Sequence, residues 1–288
     1  MKSIGVLGAS SLVGRCVLAQ LEKSNIQVYA FSRSTEESVN ENIEWIRIQP
    51  ELKQTKQLSI THWICVAPIW VLADYFPMLE AYGAKSVLAL SSTSAVSKQA
   101  SSEPLEIATA KRLQLGEQQL QQWAKKQDID WLILRPTLIY GFGEDKNIAE
   151  IARFIKRFSF FPLLGSATGL RMPVHAEDVA NACISAMNNS NATNYTYNIS
   201  GAETLTYRNM VERIFIALGK NPRFIRIPLN IFKLAVICLR IFPRYRHWSA
   251  AMAERMNKDL VFEYIGASQD FGYKPRPFSL SQQDILIK

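Results

Sequence analysis

A phosphate cradle is legible in the first fourteen residues. Ile4 to Leu7 make an apolar run of β type, Gly8-Ala9-Ser10-Ser11 a turn of small residues, and Leu12 to Leu21 a helical pattern. Glycine at position 8 permits a tight turn. The small side chains after it let a phosphate approach backbone N–H groups, and a helix start adds partial positive charge. Gly14 allows the helix to lie close against the strand. A strand–turn–helix of this kind holds the pyrophosphate of a dinucleotide, with Gly8, Ser10, Ser11, Leu12 and Val13 as the expected contacts. Ser11 stands where a G-x-x-G-x-x-G pattern has its middle glycine, and its hydroxyl is able to donate to a phosphate. The cofactor fold is expected to begin with the chain, without a signal peptide.

A second chemical signal lies at the end of the next apolar run, Tyr29-Ala30-Phe31-Ser32-Arg33. An acidic residue there would accept a hydrogen bond from a ribose 2′-hydroxyl. Ser32 and Arg33 stand there instead, and a guanidinium suits a 2′-phosphate through charge-assisted hydrogen bonds. NADPH is therefore favoured over NADH. Arg15 is a further candidate phosphate partner.

These residues need a sheet to hold them. Strands are expected at Ser3–Leu7, Gln27–Phe31, Ile43–Ile48, Trp63–Val66, Ser86–Leu90 and Trp131–Leu134, with helices at Leu12–Lys23, Ile69–Tyr82 and Pro104–Lys126 between most of them. Short apolar strands alternating with helices imply an α/β fold, a doubly wound parallel sheet covered on both faces. Ligands bind at the carboxyl ends of such strands, which adds Ala67, Pro68 and Pro136 to the expected cofactor contacts. The link from Phe31 to Ile43 is short for a full crossover helix. After about residue 140 helices at 147–158, 176–187 and 208–218 alternate with short strands at 171–174, 195–199 and 224–227. We expect a Rossmann core over residues 1–140. A smaller C-terminal substrate lobe over 141–288 is interleaved with the last sheet elements.

Composition narrows the partners. The chain has 288 residues and a net charge of +8, and residues 205–288 alone carry 14 Lys/Arg against 6 Asp/Glu. An acidic partner fits that tail, as does a solvated basic face. The basic residues are spread and form no nucleic-acid module, so none is expected as a partner. Cys16, Cys65, Cys183 and Cys238 lack metal-type spacing, and His62, His175 and His247 form no ligand pattern, so no metal is expected. The segment Ile225–Tyr245 is too interrupted for a membrane span, which needs ~20 apolar residues. Pro228 and Pro243 bracket a helix there. Lys233 and Arg240 share one of its faces, leaving two readings: a packed helix of the lobe, or peripheral contact with a bilayer.

Five stretches in order carry a family resemblance: GASSLVG at 8–14, LSSTSAV at 90–96, ILRPTLIYG at 133–141, RMPVHAEDVA at 171–180 and YNISGAETLTYRNMV at 197–211. With Phe271-Gly272-Tyr273-Lys274-Pro275 in the tail, the chain resembles the extended short-chain dehydrogenase/reductases, the nucleoside-diphosphate-sugar epimerase/dehydratase group. The resemblance implies a catalytic Ser/Thr, matched by Thr93, and a YxxxK pair on the following helix, where tyrosine is the acid/base and lysine binds ribose. The tyrosine is missing. If Lys111 is the family lysine, Ile107 replaces the phenol; if Glu117 marks the register, Thr109 and Leu113 stand in the two places. Lys111 would still bind ribose in the first register, and Tyr140 is a substitute proton donor, although its position commonly serves packing. Glu177 and Asp178 are expected to cap a helix. Arg171 is expected near a nucleotide diphosphate.

The resulting expectation is a cytoplasmic NAD(P)-binding oxidoreductase or epimerase. It acts on a sugar nucleotide or a similar small carbonyl or hydroxyl substrate through a non-standard proton relay. The alternative is a non-catalytic NADPH-binding accessory or redox-sensing protein. Relatives often pair helices, so a homodimer is also expected.

Overall fold

A computed structural model of the chain describes residues 3–33, 41–48, 58–230, 232 and 250–285. Its centre is a seven-stranded, wholly parallel sheet. The strands are β1 (Ser3–Leu7), β2 (Gln27–Ser32), β3 (Ile43–Arg47), β4 (His62–Cys65), β5 (Ser86–Leu90), β6 (Asp130–Pro136) and a seventh, Tyr195–Ile199. They lie in the order β3-β2-β1-β4-β5-β6 followed by the seventh strand. The chain runs outward in one direction from β1 to β3 and in the other from β4 onward. The reversal between β1 and β4 opens a crevice at the carboxyl ends of those two strands, which is where this topology binds ligands. Strands buried on both faces explain the continuous apolar runs seen in the sequence.

One face of the sheet is covered by α1 (Leu12–Leu21) and by the helix Ala176–Met187, through Val13, Val17, Leu18, Val179 and Cys183. On the other face lie a 3-10 turn at Ile69–Tyr75, α2 (Phe76–Ala81) and α4 (Pro104–Gln127), through Trp63, Leu72, Leu79, Leu113 and Leu120. A one-turn helix, α3 (Ser94–Ser97), precedes α4. A third core gathers Ile151, Phe161, Ile214 and Phe215 from helices Ile148–Phe158 and Tyr207–Ala217 and the parallel pair Phe161–Leu164 with Phe224–Ile227, joined by Tyr140 and Phe278. Among the described residues no helix is long and apolar enough to cross a membrane.

Three expectations need correction. The single helix expected over Ile69–Tyr82 is a 3-10 turn followed by α2, and Pro77 in the first turn of α2 explains the break. The expected strand 171–174 is two separate pairs, Leu170–Arg171 and Val174–His175. The helix Ala176–Met187, expected among the lobe elements, packs on the sheet beside α1. Residues 34–40, in the short link after Phe31, and most of the segment between Pro228 and Pro243, with Lys233 and Arg240, lie outside the described residues.

Candidate functional site

The β1–α1 turn has the shape its residues dictate. Gly8 has φ +87°, and a Cβ there would lie 2.6 Å from the Ala67 nitrogen. The N–H groups of Gly8 and Ala9 both donate to the Phe31 carbonyl, at 3.0 and 3.2 Å. Ser11 is the N-cap of α1, and its Oγ accepts from the Gly14 N–H at 3.1 Å. The first i to i−4 bond runs from Arg15 to the Ser11 carbonyl. The Leu12 and Val13 N–H groups are thereby left at the mouth of the helix, where its dipole favours an anion. Bare amides, a left-handed glycine and a serine whose O–H hydrogen is still free fit a pyrophosphate.

The neighbouring strand ends close on this turn. Ala67 donates its N–H to the Leu7 carbonyl at 3.2 Å and abuts Gly8, and Pro68 starts the 3-10 turn from an exposed position. Ser32 is buried, with its hydroxyl 2.8 Å from that of Ser10, so the end of β2 is tied to the cradle. Arg33 follows it in an exposed bend. Arg15 takes a different place from the one expected. It donates to the Ser10 carbonyl at 2.7 Å and pairs with Glu144, so it braces the turn from behind.

At the ends of β5 and β6, Thr93 is buried and both its N–H and its Oγ1 donate to the Pro136 carbonyl, at 3.1 and 3.3 Å. Thr93 and Pro136 therefore meet at the ends of these two strands. Beneath them Glu117 of α4 is buried and accepts from Ser91 Oγ and from two nitrogens of Arg135, a bidentate pair. This triad was not anticipated from the sequence. It shows which face of α4 looks inward: Ala110, Leu113, Gly116 and Glu117 are buried. Lys111, expected against ribose, lies on the exposed face. Thr109 donates its hydroxyl to the Leu105 carbonyl one turn back. No phenol and no ammonium is buried along this helix.

Tyr140 is also corrected as a proton donor. It is fully buried, edge-on to His175 and Phe278, and its hydroxyl donates to the Ser279 carbonyl at 3.2 Å. Burial drives its pKa far above the ordinary tyrosine value. The helix cap expected from Glu177 or Asp178 is supplied by His175, whose Nδ1 accepts from the Glu177 N–H at 3.2 Å. That bond leaves Nε2 to donate to Asp284 at 3.1 Å. Burial alone would raise the Asp284 pKa, but hydrogen bonds from His175, Ser281 and the Phe142 N–H outweigh it and hold the carboxyl well below the usual range. Asp178 and Glu177 instead hold Arg276 of the tail.

Arg171, expected at a diphosphate, is buried and caps the helix Ala250–Asn257. It donates to the carbonyls of Leu170 at 2.6 Å, Lys258 at 2.7 Å and Arg255. Burial lowers its pKa to about 10. Asn257 fixes the same helix to the loop after Leu164, donating to the Leu164 carbonyl and accepting from the Ala167 N–H. From there the helix reaches the first turn of α4 through Arg255 to Glu106 at 3.1 Å and the α3–α4 loop through Ser102 to Glu254 at 2.8 Å. Among the described residues no group of three or more His, Cys, Asp or Glu side chains is arranged for a metal ion.

Comparison with known proteins gives a family match over part of the chain and a fold match over nearly all of it. Residues 76–200 match the model of the NAD dependent epimerase/dehydratase family. The chain is 29% identical over 102 residues to NADH dehydrogenase [ubiquinone] 1 alpha subcomplex subunit 9, mitochondrial, of Arabidopsis thaliana, covering 35% of this chain and 25% of that protein. It is 25% identical over 160 residues to a UDP-glucose 4-epimerase of Vibrio cholerae, covering 56% of this chain and 46% of that protein. These matches span from a quarter to just under half of the relatives' own length. In fold it resembles a UDP-glucuronic acid 4-epimerase of Bacillus cereus in complex with UDP-glucuronic acid and NAD. The TM-score is 0.72 at 15% identity, covering 98% of this chain and 96% of that one.

Proposed function

We propose that this chain, whose residues 76–200 match the NAD dependent epimerase/dehydratase family, binds a nicotinamide dinucleotide in the β1–α1 turn and acts on a sugar nucleotide. Such a coenzyme supplies or accepts a hydride when bound. The Leu12 and Val13 amides and the Ser11 hydroxyl hold its pyrophosphate, with Gly8 and Ser10 shaping the approach. Ser32 and Arg33 take the adenosine end, and Arg33 selects a 2′-phosphate, which makes NADPH the preferred form. Ala67, Pro68 and Pro136 wall the crevice, and Thr93 faces the substrate oxygen from the end of β5. The observation that carries this reading is the glycine-lined turn with its two unclaimed amides.

The proton relay must differ from that of a YxxxK helix. Hydride transfer to a carbonyl needs a proton donor beside the developing alkoxide. The inward face of α4 presents Ala110, Leu113 and Glu117, and Glu117 is committed to Arg135 and Ser91. The Thr93 hydroxyl would relay a proton only after leaving the Pro136 carbonyl, with solvent or the α3–α4 loop as the source. A second reading rests on the same inward face. An α4 without a buried phenol suits a non-catalytic NADPH-binding accessory or redox-sensing protein, and the match to the Arabidopsis NADH dehydrogenase subunit supports that reading as well.

Transfer of deuterium from 4-deuterated NADPH to a panel of UDP-sugars and their keto derivatives tests both. Label in the sugar supports the enzyme. Tight NADPH binding with no label transferred supports the accessory reading. Failure to bind either NADPH or NADH defeats both.

A further inference from the structure

A groove of about 630 Å³ runs along the outer flank of α1, within the size range of small-molecule sites. Of the residues assigned to the dinucleotide only Leu12 borders it, so it is a separate cavity that touches the back of the cradle. Its floor is apolar: Leu12, Cys16 and Ala19 along α1, with Phe142 opposite. Phe142 is held there by a left-handed backbone, φ 56°, and by donating its N–H to Asp284.

The rim carries Arg15 and Lys23 against Glu144 and Glu177, and Arg276 reaches Glu177 from outside the groove. Arg15 pairs with Glu144, and Glu177 pairs with Arg276. Lys23, at the far end, is exposed and has no carboxylate partner among the described residues. From Leu12 to Leu21 the helix rises ~14 Å and Lys23 follows in the turn beyond it, a span that suits a medium acyl chain. An occupant with an extended apolar body and one anionic end fits this distribution. The apolar part would cover Ala19, which is exposed and has no other cover among the described residues.

We propose that this groove is a second ligand site, taking a free medium-chain acyl carboxylate, with its chain over Cys16 and Ala19 and its carboxylate at Lys23. Arg15 connects the two sites physically. It lines the groove and donates to the carbonyl of Ser10 in the dinucleotide cradle.

Dodecanoate, below its aggregation range, is titrated into the full chain by calorimetry. Saturable one-site binding is expected. Ala19→Trp fills the groove from an exposed helix position, so it keeps the wild-type melting curve while weakening dodecanoate about tenfold or more. Lys23→Glu weakens dodecanoate and leaves dodecyltrimethylammonium no weaker. Absence of saturable binding, or equal affinity in the wild type and Ala19→Trp, overturns the proposal. Titration of NADPH into the same samples without dodecanoate tests the cradle separately, so failure at one site is distinguishable from failure at the other.

Discussion

Gly14 lies so close to the turn that a Cβ on it would sit 2.4 Å from the carbonyl oxygen of Gly8. That contact sets the distance between the start of α1 and the end of β1, and with it the position of the Leu12 and Val13 amides. Gly14→Ala should push the helix away from the strand. Overpacking of this kind costs about 1–3 kcal/mol, read as a lower midpoint in urea unfolding, and NADPH affinity should fall more than stability does. Retained affinity at wild-type stability would remove Gly14 from the account.

Arg33 is the one residue assigned to distinguishing the coenzymes. Arg33→Ala should weaken NADPH about tenfold and leave NADH unchanged in parallel calorimetric titrations. An unchanged ratio between the two would take Arg33 out of the site.

The Glu117–Arg135 pair joins α4 to the end of β6 beneath Thr93. Arg135→Met would leave a buried carboxylate facing apolar surroundings, a change that costs about 3 kcal/mol in comparable sites. The double change Glu117→Gln with Arg135→Met should recover much of that loss in thermal unfolding. If the two single changes simply add, the residues do not act as a pair.

Asp284 predicts the shape of the acid limb. Its carboxyl is held below the ordinary range in the folded chain by His175, Ser281 and the Phe142 N–H. A depressed folded value means that its contribution is fully present above the unfolded carboxylate value, ~4, and is lost as pH falls through the folded one. Asp284→Asn should lower stability at neutral pH and flatten the decline of stability below about pH 4. Parallel acid-unfolding curves for the two proteins would contradict this.

Much of the architecture could be read from residue pattern because it depends on neighbours in the chain. The ranges Ser3–Leu7, Ser86–Leu90, Tyr195–Ile199 and Phe224–Ile227 emerge as expected, since each is a short apolar or β-branched run between turn signals. The cradle is equally local, a strand, a turn and a helix within twenty residues. What was hidden depends on long-range partners. Arg276 meets Asp178 across 98 positions and Asp284 meets His175 across 109, and no spacing rule reaches that far. Histidine is not a usual cap residue, so the cap at His175 carried no local signal. Lys111 and Leu113 differ by two positions on one helix. Only the burial of Glu117 under β6 shows that Leu113 faces inward and Lys111 outward.

NADPH titration of Leu12→Pro tests the placement of the pyrophosphate most directly. Leu12 is the first residue of α1, where proline is tolerated, and Ser11 before it already has the extended backbone a following proline needs, φ −71° and ψ 163°. The substitution removes one N–H and leaves the helix in place. The wild type should bind NADPH saturably, gaining about 2.7 kcal/mol of stability at a hundredfold excess over Kd. Leu12→Pro should keep its far-ultraviolet circular dichroism and lose about tenfold in affinity. Equal affinity in the two proteins, or no stabilisation of the wild type by either nicotinamide dinucleotide, would contradict the account.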